Sequence, residues 1–163
     1  KECSLYFTFS KDEAAVIDIT REFEWDMGHR VTNHSSLCKN PHGHRYRMQV
    51  TVTGLVNDSE GASSQGMILD FGVLKKLVNK HIVDEYDHSF VYWGDDVVMK
   101  SFAADNPGLR MHELSFVPTA EMLVQLVADQ ILHLLKKEAP SLQLRSVVLF
   151  ETPKSSATWR SED

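Results

Sequence analysis

The chain has 163 residues, 42% of them hydrophobic and 25% charged, with 17 Lys and Arg against 23 Asp and Glu for a formal net charge of −6. That length suits one domain with a substantial core, and the acidic balance argues against a general nucleic-acid binder. No apolar run approaches the roughly 20 residues that span a bilayer and nothing at the start reads as a signal peptide, so a cytoplasmic protein with no membrane partner is expected.

In chain order, Leu5, Phe7 and Phe9 alternate with Tyr6 and Thr8, which predicts a short strand over Ser4–Phe9. Ile17, Ile19, Phe23, Trp25 and Met27 then share one parity while Asp18, Thr20, Glu22, Glu24 and Asp26 share the other, with Arg21 as the exception; His29 continues the apolar set. From Arg45 to Thr53 the alternation returns, with Tyr46, Met48, Val50 and Val52 on the apolar side. His42 and His44 fall on that same side, about 6.6 Å apart along the strand. Two adjacent antiparallel strands would bring His29, His42 and His44 together at one sheet end.

Three neutral imidazoles in this arrangement predict a zinc site with one position open. Cys38, in Cys38-Lys39-Asn40-Pro41-His42-Gly43-His44, supports a competing reading as fourth ligand of a closed, structural site. Histidines that merely cap a sheet are the plainest alternative. From Met27 to Asn57 there is no Asp or Glu, and this local basic bias suits an anionic substrate, although Arg45 and Arg47 point away from the histidines. Cys38 and Cys3 are too few for a disulfide scaffold and fit a reducing compartment; Cys3 reads as a small, partly buried residue.

Asn57 to Gly66 reads as a flexible, turn-forming loop. Val73, Leu74, Leu77, Val78, His81 and Ile82 recur at helical spacing with Asp70 as cap, and His81 on that stripe is expected to be a core histidine. After Asp84-Glu85-Tyr86-Asp87-His88 comes a short apolar run, Phe90 to Trp93. Gly94 to Leu114 suggests a helix over Val97–Ala104 and a loop around Asn106-Pro107-Gly108, without a function. Thr119 is a natural N-cap for a long helix burying Leu123, Leu126, Val127, Gln130, Ile131, Leu134 and Leu135. A buried strand over Leu144–Phe150 leads into Glu151, and a last strand covers Ala157–Arg160. The order predicts a single α+β domain with both long helices on one face of a four-stranded antiparallel sheet.

An upstream His, Cys-x-x-x-His-Gly-His, an Asp-His pair, Pro-Thr-x-Glu and a late Glu-Thr arrive in the order that resembles the 6-pyruvoyltetrahydropterin synthase superfamily, over about Phe23 to Trp159. The three-residue spacer between Cys38 and His42 is similar to the 6-carboxytetrahydropterin synthase branch, the pyruvoyl enzymes usually having a longer one. Met27-Gly28 departs from the small pair, such as Ala-Ala, that often precedes the first zinc histidine. The resemblance implies a tunnelling fold that assembles into an oligomeric barrel, commonly a homohexamer, with sites between protomers.

By the same resemblance His29, His42 and His44 hold zinc, and Cys38 accepts a proton with Asp87 and His88 as its relay. Glu151 recognises the pterin ring and takes part in catalysis, with Thr119 and Glu121 lying against the ring. The implied substrate is 7,8-dihydroneopterin triphosphate, converted to 6-carboxy-5,6,7,8-tetrahydropterin, acetaldehyde and triphosphate on the way to 7-deazaguanine and queuosine. Pyruvoyl synthase activity and a non-catalytic zinc- or pterin-binding oligomeric module are the alternatives.

Overall fold

The computed structural model describes residues 16–162, so the strand expected over Ser4–Phe9, and Cys3, lie outside the described residues. Two long strands, β1 (Val16–His29) and β2 (His42–Leu55), form an antiparallel ladder whose partners run from Val16↔Leu55 to His29↔His42. The alternation read in the sequence is the pleat itself. Phe23, Trp25 and Met27 on β1 and Tyr46, Met48, Val50 and Val52 on β2 are buried, and their intervening neighbours are wetter. On the polar face, Arg45 pairs with Asp26 and Glu24, and Glu22 accepts from Arg47 and Gln49.

β5 (Gln143–Thr152) continues the sheet beside β2, and β6 (Ser155–Arg160) pairs with β5, both antiparallel. Among the described residues the expected four strands become six, because two short ones join the other edge: β3 (Ser89–Trp93) lies parallel to β1, and β4 (Met111–Leu114) parallel to β3. The order is β4-β3-β1-β2-β5-β6, so the sheet is mixed rather than wholly antiparallel. A parallel pair needs a crossover. The helix α3 (Val97–Asp105), between β3 and β4, supplies one.

The buried sheet face is covered by α1 (Phe71–Val78) and α4 (Ala120–Glu138). The carboxylate of Asp70 caps α1 by accepting from the Gly72 amide, and the Thr119 hydroxyl caps α4 from the Met122 amide. Between α1 and the helical turn α2 (Asp84–Tyr86) the chain widens into a π turn, Asn79–Val83, in which the Asp84 amide reaches back to the Asn79 carbonyl. That wider turn overturns one expectation: the buried stripe steps by four through Leu74, Val78, Ile82 and Tyr86, so His81 is exposed rather than in the core. Val73, in the first turn of α1, is exposed as well. On α4, Val124 and Ala128 are buried with Leu123, Val127, Ile131 and Leu135, while Leu126, Gln130 and Leu134 are only partly covered. The loop from Asn57 is tied by its amide to the Met67 carbonyl and by its side chain to the Ser64 hydroxyl.

Gly28 faces Phe90 where β1 meets β3. A Cβ built there would stand 2.5 Å from Phe90 Cδ2 and 3.3 Å from the His42 carbonyl oxygen. Gly28→Ala is expected to destabilise the fold by about 1–3 kcal/mol, seen as a melting temperature lower by several degrees; an unchanged melting temperature would show that the ring shifts freely.

Candidate active site

The register that builds the core also builds the site. His29 ends β1 directly opposite His42 at the start of β2, and His44 stands opposite Met27. Their rings converge, with centroids 4.6 Å apart for His29 and His42, 5.2 Å for His29 and His44, and 5.0 Å for His42 and His44. One nitrogen from each ring lies within 4.8 Å of the other two.

Two of the rings have their tautomer set by the backbone. His29 Nδ1 is 2.7 Å from the Pro118 carbonyl oxygen and His42 Nδ1 is 2.8 Å from that of Asn40. A carbonyl only accepts, so each Nδ1 carries the proton and each Nε2 keeps a free lone pair. His29 Nε2 and His44 Nε2 are buried without a hydrogen-bond partner. Buried polar atoms are rarely left so, and converging imidazole lone pairs fit a zinc ion. Burial, the largest cause, lowers the pKa of His29 against the opposing Pro118 hydrogen bond, and lowers that of His44 against the opposing charge of Glu151. Both rings are therefore held in the neutral form that a metal requires.

Glu151 reaches this group because of an irregularity in β5. The ladder with β2 shifts between Thr51 and Val52, leaving Arg145 as an extra residue between Leu144 and Ser146. That bulge lets Leu144, on even parity, share the buried face with Val147 and Leu149, on odd parity. Glu151 continues the odd set, and its Oε1 lies 3.4 Å from His29 Nε2 and 3.9 Å from His44 Nε2. The N-terminus of α4 closes the same corner, since Pro118 holds His29 while Thr119 caps the helix and Glu121 lies exposed in its first turn.

Sequence reasoning missed Tyr46. Its ring packs edge-on to His29 and His44, at 6.0 and 5.7 Å, and stacks with Trp25 at 5.9 Å. Its hydroxyl is buried without a partner, and burial, aided by the charge of Glu151, pushes its pKa well above the usual phenol range. The signal was present, because Tyr46 is the next position after His44 on the same parity.

The other expected residues lie elsewhere. Cys38 is exposed on the 3-10 turn Leu37–Lys39 and is not among the side chains that converge with the histidines. The described chain therefore does not form a closed site with Cys38 as fourth ligand. Asp87 and His88 form a pair, Oδ2 to Nδ1 at 2.9 Å, but they gather around Asp26, on the polar face of β1. The Asp26 amide donates to Asp87 Oδ1, the first cause of a lowered carboxyl pKa, and the His88 amide donates to the Asp26 carbonyl. His88 has φ of +57°, a left-handed conformation that costs a non-glycine residue about 1–3 kcal/mol. Its side chain is 77% exposed. Within one chain, then, the pair and the three histidines stand on opposite faces of the sheet.

Because burial depresses the pKa of His29 and His44, the metal-free fold binds fewer protons than the unfolded chain below the ordinary histidine value of about 6.5. Stability should be full above that pH and fall as pH drops through and below it. Thermal melting of metal-free protein at pH 7.5 and 5.5 is expected to show the drop, and His29→Gln to reduce it; an equal or higher melting temperature at pH 5.5 would contradict it.

Residues 18–162 match the family described as 6-pyruvoyl tetrahydropterin synthase. Among curated proteins, the 6-carboxy-5,6,7,8-tetrahydropterin synthase of Rickettsia conorii is 31% identical over 138 residues, 85% of this chain and 96% of that protein. That of Haemophilus influenzae is also 31% identical, over 84% of this chain and 94% of its own length. The solved 6-pyruvoyl tetrahydropterin synthase of Caenorhabditis elegans shares the fold, with a TM-score of 0.63 at 21% identity, over 91% of this chain and 98% of that one. With the match covering nearly all the described residues, the chain belongs to the 6-pyruvoyl tetrahydropterin synthase family.

Proposed function

We propose that the protein is a zinc-dependent 6-carboxytetrahydropterin synthase, taking 7,8-dihydroneopterin triphosphate to 6-carboxy-5,6,7,8-tetrahydropterin, acetaldehyde and triphosphate in cytoplasmic 7-deazaguanine and queuosine synthesis. The observation that carries this reading is the convergence of three imidazoles, two with buried and unpartnered Nε2 atoms, beside the carboxylate of Glu151. The names of the Rickettsia and Haemophilus relatives support the carboxy product. The three-residue spacer from Cys38 to His42 agrees with them.

His29, His42 and His44 would hold zinc, which as a Lewis acid lowers the pKa of hydroxyl groups brought to it and stabilises negative charge building there. Glu151 accepts two parallel hydrogen bonds from the amino group and adjacent N–H of the pterin ring. Thr119 and Glu121 border the ring from the start of α4. Cys38, as thiolate, takes a proton from a side-chain carbon of the substrate. Asp87 orients the His88 imidazole through the contact to its Nδ1, so that the pair can pass that proton on.

The pair's place on the opposite face supports a site shared between copies, with His88 of one protomer meeting the metal group of another. The outer edges of β4 and β6 have no strand partner among the described residues and are available for the pairing that a homohexameric barrel needs.

His29→Ala and His44→Ala are expected to lose both bound zinc and turnover, measured by metal content and product formation. Cys38→Ala should keep its zinc and lose turnover by about 10²–10⁴-fold; loss of zinc from this variant would instead support the structural-site reading. Mixing the inactive Cys38→Ala and His88→Ala chains, after dissociation and reassembly, should restore turnover. No recovery in mixed oligomers would contradict a shared site.

A further inference from the structure

Between β3 and β4, at the start of α3, stands the only buried carboxylate among the described residues, Asp96, at 1% exposure, and the proposed chemistry gives it no role. A carboxylate leaves water only where its oxygens find donors. Asp96 Oδ1 accepts from the Met99 amide at 3.2 Å and caps α3. Capping alone does not explain the burial, because Asp70 caps α1 from an exposed position.

The second oxygen accounts for it. Asp96 Oδ2 accepts from the Thr32 hydroxyl at 2.7 Å and lies 2.8 Å from Arg30 Nε. Both partners belong to the loop between β1 and β2 that carries Cys38. Among the described residues, the one side-chain hydrogen bond that residues 30–41 send to another element, from Thr32, ends on Asp96, as does the ion pair of Arg30; the hydrogen bonds of Ser36 and Asn40 stay within the loop. Burial gives this loop little definition, since residues 33–41 are exposed throughout. Between the two clamped residues lies Val31, whose amide donates to the Cys38 carbonyl oxygen at 2.8 Å.

We infer that Asp96 is a positioning residue for Cys38: it fixes Arg30 and Thr32, and through the Val31 amide between them sets where the Leu37–Lys39 turn presents the thiol. The inference rests on the proposed function, in which Cys38 handles a proton of the substrate. A group displaced by about an ångström can cost on the order of 10²-fold in rate without loss of binding.

Three variants test it: Thr32→Val, which removes one hydroxyl from a partly exposed position, Asp96→Asn, and Thr32→Ser as the conservative rescue. The readouts are zinc per chain, kcat and KM on the pterin triphosphate, and hydrogen exchange of the Val31 amide. Thr32→Val and Asp96→Asn are expected to keep zinc and KM, to lose roughly tenfold or more in kcat, and to exchange the Val31 proton roughly tenfold faster. Thr32→Ser should match the parent. Wild-type kcat in Thr32→Val would overturn the inference whatever happens to exchange, and if Asp96→Asn does not fold, Thr32→Val alone decides. Should the parent protein fail to turn over this substrate, the proposed function falls separately and Val31 exchange judges the clamp, acceleration upholding it and an unchanged rate overturning it.

Discussion

The β1–β2 ladder is the constraint on which the rest depends. Because side chains alternate across a strand, a single register decides both which residues reach the core and which histidines meet. The pairing of His29 with His42 follows from that of Trp25 with Tyr46 and Phe23 with Met48, four and six residues back along β1. A one-residue slip would turn the apolar side chains to water and scatter the imidazoles. The energetic driving force for the site is therefore core burial, and the histidines inherit their positions from it.

The two faces of this ladder are put to different uses. The apolar face carries the histidines, Tyr46 and Glu151 beneath the start of α4, where burial keeps His29 and His44 neutral and leaves their Nε2 lone pairs without donors. The polar face carries ion pairs such as Arg45 with Asp26, and beside them the Asp87 and His88 pair. Such exposed ion pairs add little stability. Their relevance lies in the charge that they set around His88, whose left-handed backbone is held by the Asp26 carbonyl and by the Asp87 side chain on the Asp26 amide.

Much of this was legible in the sequence, and the exceptions have physical causes. Alternation located both histidine strands, and the helix caps Asp70 and Thr119 were read from residue type. His81 was misplaced because a π turn changes the helical phase without a composition signal. β4 escaped because Met111–Leu114 is too short for a pattern, and its parallel pairing is decided by the crossover through α3. The bulge at Arg145 is visible in retrospect as the three-residue step from Leu144 to Val147, which breaks a strict alternation. The separation of Asp87 and His88 from the histidines was beyond reach, because it depends on the long-range hydrogen bonds that tie the turn before β3 to Asp26 on the polar face.

The central claim, that the three-histidine site performs carboxytetrahydropterin synthesis, is tested most directly by mass spectrometry of the products formed when zinc-loaded protein is incubated with 7,8-dihydroneopterin triphosphate. The account predicts 6-carboxytetrahydropterin together with acetaldehyde. Accumulation of 6-pyruvoyltetrahydropterin would contradict the assigned product while leaving the metal ligands in place, and unchanged substrate with zinc bound would contradict the enzymatic reading itself.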